Sequence, residues 1–229
     1  MNFSIKSILN AMAVFGFALG AIAHPRPVRS AAADNPCNLV LTEDPVEPSD
    51  YKSRLADIQT RSEGIELDAQ GIKTQLKESG KVHSFTARIL DRKAFLDSER
   101  VTVSQDKTSA AINNQVEALQ SHYEFLFEYI VHIQDIKVAD SLSTNIDVAN
   151  DELLKALDSL ENKLQSTACS VVLALRAKGS DMPEYEPTLL ENYTSSSYPA
   201  VYNAYILAND GVKLSAYLKQ MYGEISNAN

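Results

Sequence analysis

The chain has 229 residues, 45% of them hydrophobic and 22% charged, which is enough to bury the core of one globular domain. Its net charge of -9 argues against a broad basic surface for nucleic acid or anionic lipid, so we expect a protein partner. The scarcity of alternating Val, Ile and Thr runs indicates an all-α fold.

Residues 1–23 have the pattern of a secretory signal peptide. An apolar run over 8–22 leads into Ala21-Ile22-Ala23, the small-residue motif of a cleavage site. No later window reaches the roughly 20 apolar residues that a membrane span needs. We therefore expect a secreted, extracellular protein with no membrane insertion after cleavage.

The Pro-rich segment 24–49 is interpreted as an extended leader before a folded domain at 50–229. The two cysteines are Cys37 in the leader and Cys169 in the domain. In an oxidising compartment they most simply form one disulfide, which in the chain-entropy model adds about 4 to 5 kcal/mol. The alternative is a buried free thiol at Cys169 and an intermolecular bond from Cys37.

The first helix is predicted to begin after Asp50, a suitable N-cap, and to end at Gly80. Its thin apolar stripe consists of Leu55, Ile58, Ser62, Ile65, Ala69, Ile72 and Leu76. Gly64 and Gly71 indicate either a close helix approach or a locally weak segment.

A long crossover, 81–107, is predicted to hold a short helix over 87–99 and then an extended piece. The second long helix is predicted over 108–140, because its apolar spacing alternates four and three as in a bundle seam. The seam consists of Ile112, Val116, Leu119, Tyr123, Leu126, Ile130 and Ile133, flanked by Phe125, Phe127 and Tyr129. Burial in the core explains the apolar residues around much of this helix better than contact with a ligand does.

After a short polar connection, the third helix is predicted over 151–179. Its apolar stripe consists of Leu153, Leu157, Leu160, Leu164, Ala168, Val171 and Leu175. Arg176 and Lys178 suit a helix C-terminus, and Gly179 suits the left-handed position after it. The opposite face is predicted to be solvated and is also a candidate receptor surface. Its polar residues include Lys155, Asp158, Glu161 and Lys163.

A second long connection, turn-rich and ending at Pro199, carries a sequon that predicts glycosylation at Asn192. The last helix is predicted over 200–226, with Pro199 in its first turn. The motif 209–211, Asn-Asp-Gly, is either a turn or a weak point, and the stripe on both sides favours a continuous helix. Tyr198 and Tyr202 at its start suit either an interface or a half-buried core position.

The connection lengths predict the topology. Four long helices joined by long, short and long connections fit an up-up-down-down four-helix bundle with two long crossover loops. An up-down-up-down bundle would have three short loops.

The sequence offers no catalytic or metal-binding motif of the zinc-protease, nucleophile-elbow, phosphate-loop or Cys-x-x-Cys kind. Glu128 and His132 lie one turn apart, but di-iron bundles need the Glu-x-x-His pair on two helices. We interpret this pair as solvated on a helix surface. We predict no enzyme activity, no metal and no cofactor.

The layout resembles the four-helix cytokines of the group that contains leukaemia inhibitory factor, oncostatin M, ciliary neurotrophic factor and cardiotrophin. The shared features are a signal peptide, a leader cysteine (Cys37), four long helices with long-short-long connections, and a third-helix cysteine (Cys169). The resemblance spans the mature chain and implies a monomeric ligand that cross-links cell-surface receptor chains.

In that group one receptor surface lies on the first and third helices and another at the start of the fourth. The Phe-x-x-Lys signature of the second surface is not matched, because Val201 stands where the lysine is required and Tyr198 is the nearest aromatic residue. Tyr198 and Tyr202 are therefore predicted as receptor contacts from position alone.

A secreted carrier of a lipid or other apolar ligand remains the alternative. A carrier is favoured by the apolar residues around much of the second helix and by the glycines of the first helix. The long crossovers and the leader cysteine favour the receptor ligand.

Overall fold

The structure is a computed structural model that describes residues 50–97, 99–139, 148–182 and 198–228, and these residues form six α-helices and no strand. The helices are α1 (Tyr51–Glu78), α2 (Ser84–Leu90), α3 (Gln105–Asn113), α4 (Gln115–Lys137), α5 (Val148–Ala177) and α6 (Ala200–Ala228). The all-α prediction is confirmed. In the described ranges no helix combines the length and the hydropathy that crossing a bilayer requires.

Several predictions lie outside the described residues. These are the signal peptide, the leader with Cys37, the connection 140–147 and the sequon at Asn192. They stay predictions.

Helix α1 follows its predicted pattern closely. Every residue of the predicted stripe is buried, and Gly80 ends the helix region with a φ of 71°. The two internal glycines do not mark a close approach of helix backbones. A Cβ on Gly71 would meet no atom within 4 Å, and one on Gly64 would meet only the aliphatic stem of Lys163, at 3.3 Å.

The crossover and the second helix differ from the prediction. The short helix covers Ser84–Leu90 instead of 87–99, and the helix predicted over 108–140 is divided into α3 and α4. At the division Asn114 has φ -131° and ψ 73°, and its side-chain oxygen accepts a hydrogen bond from the Glu117 N–H at 3.4 Å. Asparagine favours such caps because its side chain competes with the helical backbone for hydrogen bonds.

Helices α5 and α6 are close to their predicted extents. Helix α5 begins at Val148 instead of residue 151, and all seven predicted stripe residues are buried. Gly179 has a φ of 72°, and the Ser180 N–H donates to the Leu175 carbonyl at 3.0 Å, which closes the helix end. Helix α6 runs without interruption through Asn209, Asp210 and Gly211, as the continuing stripe predicts.

Among the long helices, α1 packs on α5 and α6, and α4 packs on the same two helices. Each of these pairs runs antiparallel, because later residues of one helix meet earlier residues of the other. Between α1 and α6, Ser62 contacts Ser215 and Lys73 contacts Asn209; between α1 and α5, Gly64 lies beside Lys163 and Asp68 contacts Ser159. Between α4 and α5, Gln134 contacts Glu161 and Lys137 contacts Asp158; between α4 and α6, His122 contacts Tyr222 and Tyr129 contacts Leu207.

Candidate functional site

One line of positions on the exposed side of α1 is uncharged, although charged residues such as Arg61 and Glu63 flank it. Residues spaced three or four apart form what we term the outer α1 stripe: Ser53, Ala56, Thr60, Gly64, Leu67, Gly71 and Thr74. Leu67, at its centre, is 69% exposed. A largely exposed leucine among small residues, with charged residues on both sides, makes this stripe a candidate surface for a protein partner.

The four polar residues predicted as one solvated face of α5 do not share a surface. Lys155, Asp158 and Lys163 are exposed, but Glu161 is only 8% exposed, so its assignment to the solvated face is wrong. Its carboxylate accepts hydrogen bonds from Gln134 and Lys137 of α4, both at 2.8 Å.

The other three residues also face different neighbours. Asp158 also pairs with Lys137 of α4, whereas the stem of Lys163 lies beside Gly64 of α1. Lys163 therefore borders the outer α1 stripe. Lys155 is exposed on α5.

The start of α6 presents one exposed aromatic residue. Tyr198 is 37% exposed, and its ring lies 6.5 Å from that of the half-buried Tyr202, tilted by 57°. Tyr205, one turn further, is fully buried, and its hydroxyl donates to Asp91 at 3.1 Å. This geometry is compatible with a partner contact at Tyr198 and with a core role for Tyr205.

A buried carboxylate in the middle of α6 ties the first crossover to the bundle. Asp210 is 1% exposed, and its Oδ2 accepts hydrogen bonds from the N–H groups of Phe95 (2.7 Å) and Leu96 (3.1 Å). Its Oδ1 lies 3.5 Å from the Lys213 ammonium. Burial raises the pKa of Asp210 to about 6, although the two N–H donors and Lys213 oppose the rise.

The Glu128 and His132 pair is buried, so its assignment to a solvated surface is wrong. Glu128 pairs with Arg100 at 3.0 Å, and the His132 ring stacks on Phe95 with centroids 6.5 Å apart. The crossover therefore covers this part of α4 through Arg100 and Phe95. In the described part of the chain no three His, Cys, Asp or Glu side chains converge as metal ligands would.

A cleft of about 490 Å³ lies between the end of the crossover, α3, the start of α4 and the second half of α6. Its floor contains His122, Phe125 and Tyr217. His122 is buried between two tyrosines: Nε2 lies 3.0 Å from the Tyr217 hydroxyl, and Nδ1 lies 2.9 Å from that of Tyr222. Burial lowers the pKa of His122 to about 3, so the ring is neutral at physiological pH.

Sequence reasoning did not identify the partners of His122 or the role of Asp210. The available signals were the crowding of tyrosines near the C-terminus and an Asn-Asp-Gly motif inside a helical stripe. Neither signal predicts the partner residue, because the hydrogen bonds of His122 and Asp210 join residues that are far apart in the chain.

Comparisons of the chain with protein-family models, with curated proteins and with solved structures found no match.

Proposed function

We propose that the protein is a secreted helical ligand that binds and cross-links cell-surface receptor chains, built as an up-up-down-down four-helix bundle with two long crossover loops. The observation that carries the proposal is the antiparallel packing of α1 on α5 and α6, with α4 on the same two helices. In an up-down-up-down bundle α1 would instead pack on α4, the next long helix along the chain.

The proposed receptor-facing surface is the outer α1 stripe together with Lys155 and Lys163 of α5. Leu67 supplies an exposed apolar anchor, and Gly64 and Gly71 beside it allow a partner chain to approach closely. An apolar centre with a charged rim is the usual composition of a protein interface. A second receptor chain is proposed to contact Tyr198 and Tyr202 at the start of α6.

The proposed disulfide joins Cys37 of the leader to Cys169 of α5. Cys169 lies in α5 and is not a free thiol. Peptide mapping without reduction is expected to recover one linked peptide pair that contains both cysteines, and separate peptides would contradict the pairing.

A carrier of fatty acids requires a cavity lined by apolar side chains. The cleft at the described surface is lined partly by charged residues. The two functions are separated by adding labelled mature protein to intact cells of its own organism and, in parallel, mixing it with a fluorescent fatty acid. We expect saturable binding to cells with receptor-chain activation and no saturable fatty-acid binding. Stoichiometric fatty-acid uptake without receptor activation would overturn the proposal.

A further inference from the structure

The hydrogen bonds of His122 determine which tyrosine has a free hydroxyl hydrogen. A neutral imidazole has one N–H donor and one acceptor nitrogen. Because each ring nitrogen faces a tyrosine hydroxyl, one tyrosine donates to the ring and the other accepts from it. The accepting tyrosine keeps its own O–H hydrogen for another partner.

Burial decides between the two arrangements. Tyr222 is fully buried, and within the described residues its hydroxyl has no hydrogen-bond partner besides His122. If Tyr222 accepted from His122, its hydrogen would remain unpaired in the core, at a cost of about 1 to 3 kcal/mol. Tyr217 lines the cleft and is 6% exposed, so a hydrogen on its hydroxyl can pair with water or a ligand there. Tyr222 therefore donates to Nδ1, and Nε2–H donates to Tyr217.

This arrangement makes the Tyr217 hydroxyl a fixed hydrogen-bond donor at the floor of the cleft. Ala111 and Ala118 provide apolar surface beside it, and the Arg100 guanidinium lies over the Phe125 ring, 4.1 Å from its centroid. The cleft volume of about 490 Å³ falls in the range of small-molecule sites.

The charged rim restricts the ligand further. Its two cations are already engaged: Arg100 pairs with Glu128, and Lys107 donates to the carbonyl of Thr102 at 3.2 Å and to that of Glu99. The rim also carries three carboxylates, on Asp97, Glu99 and Glu117, which disfavour an anion. We propose that this cleft binds an uncharged amphipathic small molecule whose carbonyl or ether oxygen accepts a hydrogen bond from Tyr217.

The site is independent of the proposed receptor surface, because the cleft is lined by the crossover, α3, α4 and α6 and shares no residue with the outer α1 stripe. A variant that fills the cleft is therefore expected to keep receptor binding, which separates failure of this inference from failure of the proposed function.

The tautomer is tested directly by ¹⁵N NMR of the His122 ring in the mature protein. The nitrogen shifts are expected to show a protonated Nε2 and an unprotonated Nδ1 at neutral pH. The reverse tautomer, or a charged ring, would overturn the inference.

The ligand class is tested by fluorescence titration with prodan, an uncharged naphthalene that carries a ketone. We expect saturable one-site binding, weakened about fivefold to tenfold by Tyr217→Phe, which removes one hydrogen bond. The anionic probe 1-anilinonaphthalene-8-sulfonate is expected to bind more weakly than prodan. Wild-type affinity in a folded Tyr217→Phe variant would contradict the proposal.

A second pair of variants does not depend on the His122 network. Ala110 is exposed and lines the cleft, so Ala110→Trp is expected to abolish prodan binding by filling the space. Ala216 is exposed on α6 and does not line the cleft, so Ala216→Trp is the matched control and should bind prodan like wild type. Equal binding by both variants would place the probe elsewhere and overturn the assignment.

Discussion

Adding a methyl group is expected to change the free energy of unfolding in opposite directions at two glycines of the helices. A Cβ on Gly211 would lie 3.2 Å from the Ala69 Cβ and closer still to the Tyr129 hydroxyl, which donates to the Leu207 carbonyl. Gly211→Ala should lower the free energy of unfolding by about 1 to 3 kcal/mol. A Cβ on Gly71 would meet no atom within 4 Å, so Gly71→Ala should raise the free energy of unfolding by up to about 1 kcal/mol. Urea unfolding measures both, and shifts in the same direction would contradict the packing.

The buried carboxylate predicts a pH dependence of stability. The pKa of Asp210 is raised from its ordinary value of 3.8 to about 6, so folding favours the protonated form. Its stabilising contribution is complete below about pH 4 and is lost as the pH rises through about 6. Asp210→Asn keeps an oxygen for the Phe95 and Leu96 N–H groups but does not titrate.

Relative to wild type, the free energy of unfolding of Asp210→Asn should therefore increase between pH 4 and pH 7, by on the order of 2 to 3 kcal/mol. Chemical unfolding at several pH values measures this difference. Asp181→Asn, at an exposed position, controls for the loss of one negative charge. A constant difference between Asp210→Asn and wild type across the range would show that Asp210 does not titrate as described.

At the residue scale, the sequence predicts which apolar side chains are buried but not which polar ones. The spacing of α1 and α5 identifies every stripe residue, because a helix face follows from its period. Glu161 and His132 are buried because of partners on other parts of the chain, Lys137 for the first and Phe95 for the second. No local pattern encodes those partners.

At the element scale, the division between α3 and α4 depends on the cap that Asn114 provides. Asn114→Ala removes the acceptor for the Glu117 N–H and should cost about 0.5 to 2 kcal/mol of unfolding free energy. Asn113→Ala is the matched control, because Asn113 is exposed at the end of α3 and should change stability by less than about 0.5 kcal/mol. Thermal unfolding compares the two, and equal effects would argue against the cap.

This division also shows the limit of periodicity as a predictor of elements. The apolar spacing continues from Ile112 to Val116 across Asn114, so the pattern predicts one helix where the backbone has two. A single cap residue overrides the pattern because Ile112 and Val116 are only partly buried and stabilise a continuous helix weakly.

For the whole molecule, the antiparallel pairs predict a pattern of zero-length cross-links. A carbodiimide should join Glu63 to Lys219, which are 2.7 Å apart between α1 and α6. It should also join Lys137 to Glu161, 2.8 Å apart between α4 and α5. Mass spectrometry identifies the linked peptides. Cross-links between α1 and α4 would contradict the proposed topology.

The long-short-long connections predict this topology, but the sequence alone does not predict which surface faces a partner. The outer α1 stripe has no apolar periodicity strong enough to stand out, since six of its seven residues are small or polar. The stripe is a candidate partner surface because Leu67 is exposed, and this exposure is known only once the packing of the helices is known.

The most direct test of the proposed receptor surface is displacement of labelled mature protein from intact cells by unlabelled variants. Leu67→Arg should fold like wild type, because Leu67 is exposed and arginine suits a helix, but should displace the label about tenfold or more less effectively. Ser109→Arg, on the exposed side of α3, should displace it like wild type. Equal displacement by Leu67→Arg and wild type would contradict a receptor contact on α1.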